Sequence, residues 1–224
     1  MSPPPPSASA ERTRARLLAA GRAAFAAKGL AGTSLRDDIL DPAGVSVGSF
    51  YHQFRDKTDL LLAILRAHSE RFRERVRAAH APAPGRRIED IARDSYALVF
   101  ENVDRDEEVL RITLKERDSG DAEVRKFLRA DRQRWLADLA EDYRRFAPGG
   151  KEKAFDAELA AELIVALCLG AVAQYLEAPA NARPALRDHL LDGLVRFTLG
   201  GVPALAAPAR TARSRTPTRR RSPR

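Results

Sequence analysis

Wherever this chain is apolar, its apolar residues recur with a period near 3.6, and that pattern excludes most folds before any motif is considered. Leu17, Leu18, Ala20, Ala24, Phe25 and Ala27 follow it, as do Leu60, Leu61, Ile64, Leu65, Phe72 and Val76. The same spacing runs through Ile88, Ile91, Ser95, Leu98 and Val99, and through Val124, Phe127, Leu128, Trp135, Leu139 and Phe146. It returns in Leu159, Leu163, Ala166, Leu167, Gly170 and Val172, and in Leu186, Leu190, Leu194 and Phe197. No segment sustains a period of two with β-branched residues, so a sheet has nothing to be built from. Thirteen of the fourteen prolines stand between the periodic segments, at Pro3 to Pro6, Pro82 and Pro84, Pro148, Pro179 and Pro184, and from Pro203 onward. They punctuate the chain together with Gly85, Gly149 and Gly150. The fold class is therefore all-α, with about nine helices. Short helices up to roughly residue 55 precede longer ones of about 15 to 25 residues, the pattern of a three-helix head on a larger helical bundle.

Composition narrows the function classes. No 18 consecutive residues are all apolar, and the longest such run, Leu163 to Ala173, suits a buried helix rather than a membrane span. The proline- and serine-rich start lacks the basic and apolar regions of a signal peptide, so a cytoplasmic protein without a membrane partner is expected. The single cysteine, Cys168, excludes an intrachain disulfide framework and a cysteine-based zinc cluster. The net charge of +8 is local: seven arginines and no acid fall in residues 203–224. Without them 32 basic side chains face 31 acidic ones, so the high pI describes a tail and not a surface. The expected division is a disordered lead over 1–10, a head over 11–57, a bundle over 58–202 and a basic disordered tail over 203–224. Arginine with Ser, Thr and Pro cannot build a core. Deleting the tail should weaken any sequence-independent binding to polyanions and flatten its salt dependence, while leaving the affinity for a specific partner nearly unchanged. Salt titrations check this, and a large loss of specific affinity would contradict it.

The chemistry sits in Thr33 to Lys57, TSLRDDILDPAGVSVGSFYHQFRDK. Thr33 can cap an apolar-spaced stretch holding Leu35, Ile39 and Leu40. Ala43-Gly44-Val45-Ser46 supplies a tight turn in which Gly44 permits the backbone path, Val45 plugs the core and Ser46 caps the next helix. That helix, about Val47 to Phe54, buries Phe50 and Phe54 and leaves Val47, Gly48, Ser49, Tyr51, His52 and Gln53 on or near its open face. A short helix, a glycine turn and a second helix with small polar residues at its start describe a helix-turn-helix. Small side chains let its backbone approach the major groove, where hydroxyl, imidazole and amide groups meet base edges and phosphates. Lys57, opening the following helix, adds a cation.

At these residues a resemblance becomes explicit. The stretch from Arg14 to Leu62 resembles the N-terminal domain of the TetR family of bacterial transcriptional repressors. The matching features are Leu17-Leu18 with Ala20, Phe25 four residues before Gly29, Thr33-Ser34, Ala43-Gly44-Val45-Ser46, Gly48, Tyr51, Phe54, Lys57 and Leu61. The resemblance implies a homodimer whose third helices read a palindromic double-stranded DNA operator, and a partly apolar small-molecule effector that weakens operator binding. It implies no cofactor and no enzymatic activity. Carried over by position, Thr33, Ser34 and Arg36 face the DNA backbone, while Ser46, Val47, Gly48, Ser49, Tyr51, His52 and Gln53 form the reading surface. Lys57 clamps a phosphate. In the larger part, Tyr96, Phe100, Arg111, Trp135, Tyr143 and Cys168 are candidate ligand-binding residues, with bundle core as the competing reading of each aromatic. Arg111 and Glu116 are candidates for linking pocket and head. The helices from about Asp156 to Tyr175 and Ala185 to Leu199 would form the dimer contact, helped by Ala160, Ala166, Gly170 and Ala173.

The chain departs from its family at one place. The usual pattern sets an aliphatic residue five positions after the threonine, whereas Ile39 stands six positions after Thr33, and Pro42 directly precedes Ala43-Gly44. One added residue rotates what precedes it by about 100° unless it is absorbed locally. Pro42 has no N–H for the Asp38 carbonyl. The second helix is therefore expected to carry a π-type irregularity or to end between Asp38 and Asp41. The alternative is a displaced helix from which Thr33 and Arg36 cannot reach phosphates.

Two rival readings carry less weight. Gly44-Val45-Ser46-Val47-Gly48 fits the G-x-S-x-G elbow of serine hydrolases, but that motif needs a preceding strand. An all-α enzyme or small-molecule carrier whose helix-turn-helix does not read DNA is the alternative function. Of the four histidines, His52 lies in the reading helix, and His68, His80 and His189 are expected at the surface. They show no spacing that would bind a metal, and Cys168 is expected to be a buried inert thiol.

Overall fold

The computed structural model describes residues 8–80, 85–146 and 156–201. The lead before Ala8, the loop positions Pro82 and Pro84, Pro148-Gly149-Gly150, and the basic tail lie outside the described residues. The architecture is all-α, as the periodicity requires. The elements are α1 (Ala8–Gly32), a π-helical segment (Arg36–Leu40) running into α2 (Asp41–Ala43), α3 (Val47–Tyr51), α4 (Lys57–Ala79), α5 (Ile88–Glu116), α6 (Ala122–Phe146), α7 (Ala157–Glu177) and α8 (Arg183–Gly201). The described residues thus hold eight α-helices and one π-helical segment. The Ile88–Val99 and Glu107–Arg117 stretches merge into one long α5 that breaks at Asp106 (φ −128°, ψ 37°). Ala8 to Ala10, expected in the lead, belong to α1. Pro184 falls in the first turn of α8, where a missing N–H costs nothing.

The expected irregularity in the second helix is present. The Asp41 N–H reaches back five residues to the Arg36 carbonyl, and the Val45 N–H does the same to Leu40 at 3.1 Å. The wider loop absorbs the added residue and places Pro42 in the first turn of α2, exposed and needing no acceptor. Ile39 and Leu40 are thereby kept in the core. Gly44 follows with φ 59° and ψ 41°, the left-handed conformation that lets the chain turn sharply into α3.

One apolar core joins the head to the bundle. Leu17 and Phe25 of α1, Ile39, Phe50, Phe54, and Leu60 and Leu61 of α4 pack in one cluster with Val109 and Ile112 of α5 and Val124 of α6. The boundary at residue 57 is therefore a change of role within a continuous core. A second cluster unites Tyr96, Phe100 and Val103 of α5 with Ile164, Val172 and Tyr175 of α7 and Leu194 and Val195 of α8. α7 is long and apolar enough to cross a membrane by length and composition alone. The packing of α7 says more than its composition. Ala160, Ala161, Ile164, Val172 and Leu176 on its inner face are buried against the rest of the chain.

Candidate nucleic-acid interface

The reading helix is built by its flanks. Ser46 caps α3 through Oγ, which accepts the Ser49 N–H at 3.2 Å, and the two hydroxyls lie 2.9 Å apart. Phe50 is fully buried, with its ring 5.4 Å from Tyr51 and 5.9 Å from Phe54. That anchor turns the opposite face outward: Val47 is 53% and Tyr51 58% exposed, and Ser46, Gly48 and His52 are exposed as well. A Cβ on Gly48 would meet nothing within 4 Å. Ser46 to Ser49, Tyr51 and His52 thus form one open face of small and polar groups at the start of a short helix.

Gln53 does not share that face. α3 ends at Tyr51 rather than near Phe54, so Gln53 turns back and its amide donates to the Ala10 carbonyl at 3.3 Å. Thr33 is not a helix cap and does not present its hydroxyl to solvent. It is buried, and its Oγ donates to the Gly29 carbonyl at 2.6 Å, because α1 breaks at Gly29 (φ 69°, ψ 174°) and leaves carbonyls that need a donor. The cap is Ser34, whose Oγ accepts the Asp37 N–H, while Asp38 accepts the Ser34 N–H at 2.9 Å. Lys57 is likewise occupied. Its Nζ donates to the carbonyls of Leu30 at 2.8 Å and Thr33 at 3.0 Å, closing the end of α1. Arg36 is exposed.

The break at Gly29 is also where head meets bundle. Glu116, buried at the end of α5, accepts the Leu30 N–H at 2.7 Å. Lys115 donates to the carbonyls of Ala26 and Ala27 at 2.6 and 2.8 Å, and Arg22 pairs with Asp106 at the α5 break at 2.6 Å. Glu116 therefore does link the two parts. Arg111 does not reach the head: its guanidinium serves Glu107 and the Leu176 carbonyl at the end of α7.

The ligand candidates divide between three places. Tyr96 and Phe100 are buried in the second cluster, with Tyr143 and Cys168 packed against it. The Tyr96 hydroxyl bonds Thr198 of α8. Desolvation pushes both phenols above their ordinary range and the Cys168 thiol up to about 12, so the thiol stays protonated and unreactive at neutral pH. Trp135 lies elsewhere, half-buried with its ring 5.1 Å from Phe72 of α4, and Arg111 stands apart as described.

Two histidines expected at the surface are buried, because each gains polar partners from neighbouring helices. His68 meets Asn102 at 3.1 Å, and desolvation lowers its pKa. His80 lies 2.5 Å from Asp142 and 2.6 Å from the Ser95 hydroxyl. This Ser–His–Asp sequence bears on the enzyme alternative. The Ser95 hydroxyl donates to the Ile91 carbonyl of its own helix at 2.6 Å, so its proton is turned away from the imidazole. The amides around Ser95 are spent on helix bonds, which leaves no preorganised donor pair for an oxyanion. The trio ties α4, α5 and α6 together. The G-x-S-x-G match is the helix-turn-helix corner, entered from α2 and not from a strand.

An all-α chain with a capped reading helix set on a longer bundle defines the class of helix-turn-helix DNA-binding proteins. Comparison with known proteins bears on both parts of the chain. Residues 17–64 match the model of the bacterial regulatory proteins of the tetR family. The chain's fold matches that of the fatty acid degradation regulator FadR from Bacillus halodurans, at 21% identity and a TM-score of 0.69, over 84% of this chain and 98% of that one. It also matches GusR of Salmonella enterica, at 24% identity and a TM-score of 0.68, over 85% and 95% of the two chains. A TetR-family transcriptional regulator from Streptomyces coelicolor matches at 23% identity and a TM-score of 0.65, over 84% and 96%. Residues 17–64 thus match the tetR-family helix-turn-helix DNA-binding domain, and the chain as a whole shares the fold of these regulators.

Proposed function

We propose that this protein is a homodimeric transcriptional repressor that binds a palindromic operator and is released by a small, partly apolar effector. The observation that carries the DNA reading is the α3 face: Phe50 pins the helix, and Val47, Gly48, Tyr51 and His52 project away from the core. Genomic fragment selection with purified protein at moderate salt tests it. Enrichment of a palindrome is expected, and only salt-sensitive, sequence-blind retention would sink the reading. Given that operator, Tyr51→Ala or His52→Ala should each cost about 1–3 kcal/mol of binding, roughly 5- to 150-fold. Normal operator binding by both variants, with helix content intact by circular dichroism, would place the reading face elsewhere.

The dimer reading is supported by an uncovered apolar stripe. Leu159, Leu163, Ala166, Leu167 and Gly170 lie along the outer face of α7, and Gly193, Phe197 and Gly200 along that of α8, all exposed in the single chain. Of the small residues expected there, Ala160 belongs to the inner core instead. A stripe of leucines with glycines for close approach fits a self-complementary contact with a second copy. The effector reading is supported by Tyr96, Phe100, Tyr143 and Cys168 converging between α5, α6, α7 and α8, with phenolic hydroxyls as polar handles in apolar surroundings. From that cluster α5 leads to Glu116 and Lys115 at the base of the head, a direct mechanical route between the two ends of the molecule.

A further inference from the structure

The second helix, which flanks the reading helix, is poorly suited to hold DNA. Between Arg36 and Asp41 it carries one arginine and three aspartates. Asp38 is spent on Lys28 at 2.6 Å, and that ammonium, with the Ser34 N–H, holds its carboxyl below the usual carboxylate range. Asp37 and Asp41 remain exposed, where they repel phosphates. Lys57 is committed to the α1 carbonyls, and Arg55 to Asp56 and Glu123.

Among the described residues from Ala8 to Lys57, the arginines without a carboxylate partner are Arg12, Arg14, Arg16 and Arg36. Three of the four stand on the first turns of α1. Arg14 lies over the Phe54 ring, 4.5 Å from its centroid, whereas Arg12 and Arg16 are exposed one turn apart on one face. Together with Ser9 and Thr13 they line a surface depression of about 580 Å³. Its position is set by Arg16, whose Nη1 donates to the Gly44 carbonyl at 3.3 Å, in the turn two residues before the α3 cap.

We propose that Arg12 and Arg16, with the hydroxyls of Ser9 and Thr13, form a DNA-phosphate site that grips the backbone beside the reading helix, in place of the acidic second helix. This rests on α3 being the element that enters the major groove. The α3 N-terminus then brings the Gly44 turn close to the sugar–phosphate backbone, and Arg16 with it. Guanidinium groups suit the task, since they remain charged and fork onto phosphate oxygens. The contact is blind to sequence: it sets register and affinity, and α3 sets specificity.

The test compares the full-length protein with Arg12→Gln/Arg16→Gln and with Arg36→Gln. The probes are the genomic fragment recovered by the wild type and a random duplex of similar length. The double variant should bind the recovered fragment about tenfold more weakly, with a salt slope shallower by about two. Arg36→Gln removes at most one phosphate contact, so its slope should fall by no more than about one, less than that of the double variant. Ethylation of phosphates beside each half-site should block the wild type and have no further effect on the double variant. An unchanged salt slope in a folded double variant would overturn the proposal while leaving the operator reading intact. Failure of the wild type to select any palindrome would overturn both. If the double variant melts early, Arg12→Gln alone decides, since Arg12 has no hydrogen-bond or ion-pair partner among the described residues: its slope must fall by about one or the proposal is wrong.

Discussion

A chain carrying Leu163→Glu with Leu167→Glu should sediment as a monomer and bind the selected operator at least 10²-fold more weakly than the parent. Both leucines lie on the outer face of α7, 41% and 37% exposed, so neither carboxylate disturbs the core made by Ala160, Ile164 and Val172 on the other face. In the proposed dimer, however, the two glutamates would be desolvated opposite their own copies, and like charges without partners are costly to bury. DNA affinity follows because two linked heads hold a palindrome with an effective concentration that a single head lacks, worth about 10²–10⁴ in avidity. Analytical ultracentrifugation and fluorescence anisotropy read the two effects. A variant that remains dimeric would mean that the exposed stripe is covered by something other than a second copy.

Phe50→Ala should cost about 3–5 kcal/mol, because the side chain is fully buried and the five-residue α3 cannot collapse around the void. A helix this short has almost no stability of its own. It is held by the Ser46 cap, the Gly44 turn and this one ring. Specific DNA binding should therefore disappear before the bundle unfolds, since the second apolar cluster does not involve Phe50. Hydrogen exchange is the suitable measurement, with early loss of protection over residues 45–54 and retained protection in α5 and α7. A uniform loss across the chain would mean that head and bundle unfold as one unit through their shared core.

The distribution of polar side chains explains where sequence reading succeeded. The helical class, the turn at Gly44, the cap at Ser46 and the burial of Phe50 and Phe54 are local consequences of period, backbone freedom and capping, each written within a few residues. The π-helical segment was legible for the same reason: one residue too many and a proline without an N–H leave a helix few ways to continue. The intramolecular partners of Thr33, Gln53 and Lys57 are not written in the motif itself. The Gly29 and Leu30 carbonyls, with that of Thr33 itself, claim the Thr33 hydroxyl and the Lys57 ammonium, and the Ala10 carbonyl draws Gln53 off the reading face. His68 and His80 were placed at the surface because burial depends on Asn102, Asp142 and Ser95, which are between 15 and 62 residues away. Nothing near Arg12 and Arg16 in the chain distinguishes them from other arginines.

Periodicity, punctuation and local capping specify helices because their energetics act within one turn, and this chain states them plainly from Leu17 to Phe197. Which polar groups are free for function is a different matter. A hydroxyl, an amide or an ammonium is available only if no unpaired carbonyl or carboxylate lies within about 3 Å after folding, since a buried acceptor left unmet costs more than an exposed donor gains from water. Packing brings those acceptors from distant segments. That is how the end of α1 holds Lys57 and Glu116 links bundle to head, while Arg12 at the start of α1 stays exposed.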